Sequence, residues 1–151
     1  MSASARRERR FAQVDVFTDR PTRGNALAVV IDGDGLDDAT MAAFARWTNL
    51  SETTFLLPPT DAQADYRVRI FTPTVELPFA GHPTLGSCHA WLAAGGRSRD
   101  PGVVVQQCGV GLVRIRREGE GEGQRLAFAA PPRRRSGPLE ADMLARVVRF
   151  L

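Results

Sequence analysis

The alternation of apolar and polar positions sets out most of the chain. In Phe11–Thr18, Ala12, Val14 and Val16 oppose Gln13 and Asp15, the two-residue period of a half-buried strand. A turn-rich stretch, Asp19 to Asn25, leads to Ala26–Ile31, which is apolar throughout and stops at Asp32-Gly33-Asp34-Gly35. Asp37 or Asp38 can cap a helix running to about Thr48, with Met41, Phe44, Ala45 and Thr48 at i, i+3, i+4 and i+7. Leu36, just before the cap, can staple onto Met41.

Thr53–Leu57 reads as a strand stopped by Pro58-Pro59. Tyr66–Phe71 alternates Tyr66, Val68 and Ile70 against Arg67 and Arg69. A second helix runs from about Pro83 to Ala94. Proline suits its first position, where the missing N–H would have no partner. Its apolar residues lie around nearly the whole circumference, which marks a buried helix. Gly95-Gly96 ends it.

Strands follow at Val103–Gln107, Val110–Arg116 and Arg125–Ala129, then a linker over 131–138 and an amphipathic helix, Leu139–Leu151, with Leu144, Val147, Val148 and Leu151 on one side. Many short strands of antiparallel type around one buried helix predict an α+β layer or a barrel wrapped around that helix. Ordinary parallel βαβ alternation is not expected, and neither GxGxxG nor GxxxxGK[ST] occurs.

Composition changes this picture little. With 43% hydrophobic and 25% charged residues the chain reads as soluble and globular. No apolar run approaches the ~20 residues of a membrane span. The basic start is not followed by an apolar signal core, so a cytoplasmic location is expected and no membrane partner.

Charge has to be located before it means anything. The net charge is +3, and all 20 basic residues are Arg. Arg6, Arg7, Arg9 and Arg10 fall in a tail, residues 1–10, expected to be disordered. Arg133–Arg135 fall in the linker. Without interleaved aromatic residues both clusters read as solvated flanks rather than a nucleic-acid surface. Two cysteines, Cys88 and Cys108, and two histidines, His82 and His89, are too few and too badly spaced for a metal cluster or a disulfide framework.

Two segments carry a resemblance. Asn49-Leu50-Ser51-Glu52-Thr53-Thr54-Phe55 and Ile70-Phe71-Thr72-Pro73-Thr74-Val75-Glu76-Leu77-Pro78-Phe79-Ala80-Gly81-His82-Pro83-Thr84-Leu85-Gly86 are similar to the signature segments of the PhzF-like phenazine-biosynthesis isomerases. Val14-Asp15-Val16-Phe17-Thr18 and Gly24-Asn25 match as well. The resemblance implies one lobe of a diaminopimelate epimerase-like fold over residues 11–130: a mostly antiparallel β-barrel around a central helix. It also implies that residues 139–151 open a second lobe absent from this chain.

The resemblance makes Glu52 the catalytic acid–base. A carboxyl held against the apolar strand Thr53–Leu57 loses hydration, which favours its protonated form and suits it to proton exchange. His82, Gly81 and Ser51 are the implied substrate-binding residues. The amides of His82, Thr84 and Leu85, at a helix N-terminus, can receive a substrate carboxylate. Read without the resemblance, Glu52 is a surface glutamate at a strand entry and His82 a helix-capping or core histidine.

Relatives in the wider superfamily resemble the Ala80-Gly81-His82 segment but carry a cysteine at the first place. Ala80 cannot carry a proton, so a two-thiol mechanism is not expected, and Cys88 lies too deep in the helix to replace it. Glu76 reads as a solvated loop residue, and Asp15 and Asn25 as turn and strand-end residues.

The implied reaction is a cofactor-free, metal-free isomerisation of a small carboxylated molecule. The resemblance places a further aspartate in an Asp-x-x-Thr-Gly-Ser motif of the second lobe, and this chain has no such motif. Little turnover is therefore expected from the chain alone, which is expected to form a homodimer or to associate with a second lobe. A binding or self-associating module that kept the fold and lost catalysis is the alternative. A nucleic-acid-associated domain is the third and weakest reading.

Overall fold

The computed structural model describes residues 7–119, 124–130, 132 and 136–149. Among the described residues, eight strands form one sheet: β1 (Phe11–Val16), β2 (Asn25–Val30), β3 (Thr53–Leu57), β4 (Tyr66–Phe71), β5 (Glu76–Leu77), β6 (Val103–Cys108), β7 (Gly111–Glu118) and β8 (Arg125–Phe128). The helices described are α1 (Asp38–Thr48), α2 (Gly81–Ala93) and α3 (Ala141–Val148). The sheet runs β1-β2-β3-β4-β6-β7-β8, with β5 added beside β4. It curls part of the way around α2, which packs against β1, β2, β3, β6 and β8.

Most pairings are antiparallel, as the short alternating strands predict, but two are not. β2 pairs parallel with β3 through the α1 crossover, and β4 pairs parallel with β6 across the segment containing α2. The sheet is mostly antiparallel, as expected, and regular βαβ alternation does not run through it, but these two crossovers were not expected to be parallel. The physical reason is visible in β2, whose unbroken apolar run suits a strand covered on both faces. Leu27 and Val29 face α2, together with Leu56 from β3. Val30 and Phe55 face the other way, against Met41 and Ala45 of α1. α2 thus lines the inner core and α1 the outer layer.

The α1 boundaries follow from local chemistry. The Asp37 side chain accepts from the Thr40 N–H at 2.7 Å, while Asn49 closes the helix in the left-handed region at φ 55°. Leu36 packs beside Met41 as the staple requires. On α2, Gly86 allows the close crossing: a Cβ there would lie 2.6 Å from Leu27 Cδ2 and 2.9 Å from Val16 Cγ2.

The end of the expected tail is tied down. The Ile31 N–H donates to the Arg10 carbonyl at 2.9 Å, extending the β1–β2 ladder. The Arg10 guanidinium donates to both carboxylate oxygens of Asp32, at 2.7 and 2.9 Å, and holds that carboxyl well below the usual carboxylate range. Arg9 donates to the Asp32 and Asp34 carbonyls. Arg7 also reaches the Asp34 carbonyl, at 3.3 Å. Order therefore begins before Phe11, because Arg7, Arg9 and Arg10 meet the carbonyls and the carboxylate of the Asp32–Asp34 turn; residues 1–6 lie outside the described residues. Arg133–Arg135 and residues 150–151 lie outside them too, while α3 is present without a buried residue.

Candidate functional site

Side-chain alternation aims the candidate acid inward. On β3, Thr54 and Leu56 face α2 while Thr53 and Phe55 face α1, so Glu52, next in the extended chain, projects toward α2. The short connector Asn49–Glu52 is pinned at both ends. At one end, Asn49 closes α1. At the other, the Thr53 and Thr48 hydroxyls meet at 2.7 Å, and Thr48 donates on to the Ala45 carbonyl. The Ser87 hydroxyl of α2 donates to Thr54 Oγ1 at 2.9 Å, fixing β3 against the helix two residues beyond Glu52.

His82 comes from the first turn of α2. Its Nδ1 lies 3.4 Å from Glu52 Oε2, with the two side chains 7% and 17% exposed. Each residue contributes one buried polar atom that makes no hydrogen bond among the described residues: Glu52 Oε2, which has only the 3.4 Å approach of His82 Nδ1, and His82 Nε2. Leaving such atoms unpaired costs about 1–3 kcal/mol each. Native interiors therefore keep few of them.

The first turn adds amides. Ala80 is the N-cap and supplies no side-chain cap. Pro83 occupies the third helical position, not the first as expected, because the helix begins at Gly81. It still contributes no N–H. The Thr84 N–H is turned back onto the Ala80 carbonyl at 3.2 Å. The amides left to receive an anion are those of Gly81 and His82, which replaces the expected His82, Thr84 and Leu85 set. An N-terminal turn of this kind attracts negative charge.

Of the four residues singled out from sequence, the structure brings Glu52 and His82 together and places Gly81 in the same turn. Ser51 is exposed and makes no side-chain hydrogen bond among the described residues. Glu76 is exposed, as expected, but it is not in a loop and not without partners. It lies in β5 and accepts from Arg69 at 2.7 and 2.8 Å, while Arg69 also reaches Asp38 at 2.6 Å and covers the Phe71 ring. Asp15 keeps its structural duty, accepting from the Arg23 and Gly24 N–H groups.

Cys88 is fully buried, and burial pushes its thiol up to about 12, so it stays protonated and cannot act as a base. Among the described residues no three His, Cys, Asp or Glu side chains gather as a metal cluster would. No helix among the described residues is long and apolar enough to cross a membrane. Two surface concavities lie elsewhere, one at the far end of α2 around Arg10, Asp32 and Trp91, the other around Arg67 and Cys108; neither includes Glu52 or His82.

A set of buried polar residues in the inner core, Tyr66, Gln106, Thr84, Thr54 and Ser87, was not singled out in the sequence. The one available signal was Gln106, an amide on the inward face of the otherwise apolar run Val103–Val105.

With this geometry in place, comparison with known proteins is informative. The family model described as phenazine biosynthesis-like protein matches residues 14–145. Antisense-enhancing sequence 1 of Schizosaccharomyces pombe is 47% identical over 125 residues, covering 82% of this chain and 42% of that protein. The trans-2,3-dihydro-3-hydroxyanthranilate isomerase of Pseudomonas aeruginosa is 49% identical over 81 residues, covering 54% of this chain and 29% of that protein. A crystal structure of the Bacillus anthracis phenazine biosynthesis protein of the PhzF family superposes with a TM-score of 0.70 at 28% identity, covering 78% of this chain and 39% of that one. The chain spans less than half the length of each of these relatives.

Proposed function

Because the chain belongs to the phenazine biosynthesis-like protein family, we propose that it carries the proton-transferring half of an isomerase acting on a small carboxylated metabolite. The observation that carries this reading is the approach of Glu52 Oε2 to His82 Nδ1, 3.4 Å apart, at an amide-bearing helix start. Glu52 is the group that removes a proton from one substrate carbon and returns one to another. General acid–base transfer of this kind is worth roughly 10²–10⁴-fold in rate.

The roles divide by chemistry. The Gly81 and His82 amides bind the substrate carboxylate and fix which carbon faces Glu52. The imidazole has two distinct nitrogens: Nδ1 faces the carboxyl, which leaves Nε2 to pair with a polar group of the substrate. No metal or organic cofactor is needed for a carboxyl to move a proton, and the site is proposed to work without one. A second lobe, supplied by further chain or by a partner, closes the far side, excludes water and fixes the substrate.

The test is an isomerase assay with trans-2,3-dihydro-3-hydroxyanthranilate and related cyclic carboxylates, run on this chain with and without a co-expressed second lobe. Turnover is expected only with both. Absence of turnover on any carboxylate from a folded, assembled pair would leave a binding module as the better account.

A further inference from the structure

A line of hydrogen bonds runs through the inner core and ends beneath the candidate site. The Tyr66 hydroxyl donates to Gln106 Oε1 at 2.8 Å, and Gln106 Nε2 donates to Thr84 Oγ1 at 3.1 Å. The Thr84 hydroxyl in turn donates to the Ala80 carbonyl at 2.9 Å. Tyr66 is 2% exposed and both Gln106 and Thr84 are 0% exposed, so water is kept from the first two bonds, while the third, at Ala80, is part-buried. The last acceptor belongs to the N-cap residue of α2, directly before Gly81 and His82.

The links run in one consistent direction, from the phenol to the helix start. Burial raises the Tyr66 phenol well above its ordinary value, so it remains a donor. Its ring stacks on Trp91, with centroids 5.2 Å apart, and cannot easily turn away. A phenol donating to Gln106 fixes which end of the amide is oxygen, so the NH2 end must point at Thr84. Thr84 has one hydroxyl proton, and with its oxygen receiving from Gln106 that proton goes to Ala80.

The register agrees, because Tyr66 and Gln106 sit opposite one another where β4 meets β6. A leucine at 106 would fill an apolar core without any of this. Burying an amide has a cost, and a fully satisfied polar network rigidifies what it touches. What this one touches is the carbonyl that starts the turn bearing His82.

We propose that Gln106, acting through Thr84, is a positioning residue that holds the first turn of α2 so that His82 faces Glu52. The proposal rests on the proton-transfer reading of that pair, although its main test requires neither substrate nor turnover. The ring nitrogens of His82 are observed by NMR in the nitrogen-15-labelled chain at fixed pH. Thr84→Val keeps the shape and removes the hydroxyl; Gln106→Met keeps the length and removes the amide. Both are expected to displace the His82 ring signals, and Thr84→Ser is expected to restore them.

Tyr66→Phe leaves the stacked ring and removes only the first donor, so it keeps the test decisive if the other variants do not fold. It is expected to move the same signals in the same direction. In an assembled two-lobe enzyme, Thr84→Val is expected to lower kcat roughly ten- to a hundredfold with KM held, the mark of misplaced catalytic groups rather than lost binding. Folded Thr84→Val, Gln106→Met or Tyr66→Phe protein with wild-type His82 ring signals would overturn the proposal, whatever the assay shows. Displaced signals without any isomerase activity in the wild type would support the positioning role and count against the reaction instead.

Discussion

Glu52→Gln, tested in the assembled two-lobe protein, is expected to lower turnover by roughly 10²–10⁴-fold while leaving the fold intact. The substitution keeps the size and planarity of the side chain and removes only its capacity to take up and release a proton. The fold should tolerate it, because Glu52 Oε2 makes no hydrogen bond among the described residues. A glutamine amide can instead donate to His82 Nδ1, now 3.4 Å from the carboxylate. The melting temperature is therefore expected to stay level or rise slightly. A large loss of activity with unchanged melting separates a chemical role from a structural one. Substantial remaining turnover would move the proton carrier elsewhere.

The largest effect on stability is expected from Phe55→Ala, at about 3–5 kcal/mol by chemical denaturation. Phe55 is completely buried at the junction of β3 and α1, with ring centroids 5.6 Å from Phe71 and 6.2 Å from Phe44. Removing the ring leaves a cavity under the helix whose last turn leads to Glu52. The outer layer and the acid's connector should loosen together. Phe11→Ala provides the contrast: that ring also meets Phe44 but is 50% exposed, so its truncation is expected to cost much less. Equal losses at the two positions would mean that the outer cluster is not the core described above.

How much of this was legible in the sequence depends on the kind of signal. Periodicity carried the strands well: Tyr66, Val68 and Ile70 face the inner core as their spacing predicts. The Asp37 cap and the Asn49 stop of α1 follow from their own side-chain chemistry. The burial of α2 could be read from a helix with almost no polar face. Strand direction could not, because an apolar run such as Ala26–Val30 suits parallel and antiparallel neighbours alike. β5 escaped notice because two residues are too few to show a period.

The site was legible for a different reason. Nothing in spacing or polarity says that Glu52 and His82 meet, since they lie on separate elements. Only the resemblance of their motifs joined them, and the coordinates place them face to face. The expected disorder through residue 10 failed at Arg9, whose acceptors are backbone carbonyls of a distant turn, and at Arg10, whose acceptor is the Asp32 carboxylate 22 residues away; no local pattern advertises either pairing. The Tyr66–Gln106–Thr84 line was missed for a similar reason. It depends on three elements converging, and only Gln106, an amide in an otherwise apolar strand, stands out by itself.

The most direct test of the central claim is nitrogen-15 chemical-shift mapping of this chain titrated with anthranilate, a planar carboxylate that cannot be turned over. If the start of α2 receives a carboxylate beside the acid, the Gly81 and His82 amides and the His82 ring shift saturably, while the surface around Arg67 and Cys108 stays still. Saturation at the arginine-rich surfaces alone, with Gly81 and His82 unmoved, would contradict it.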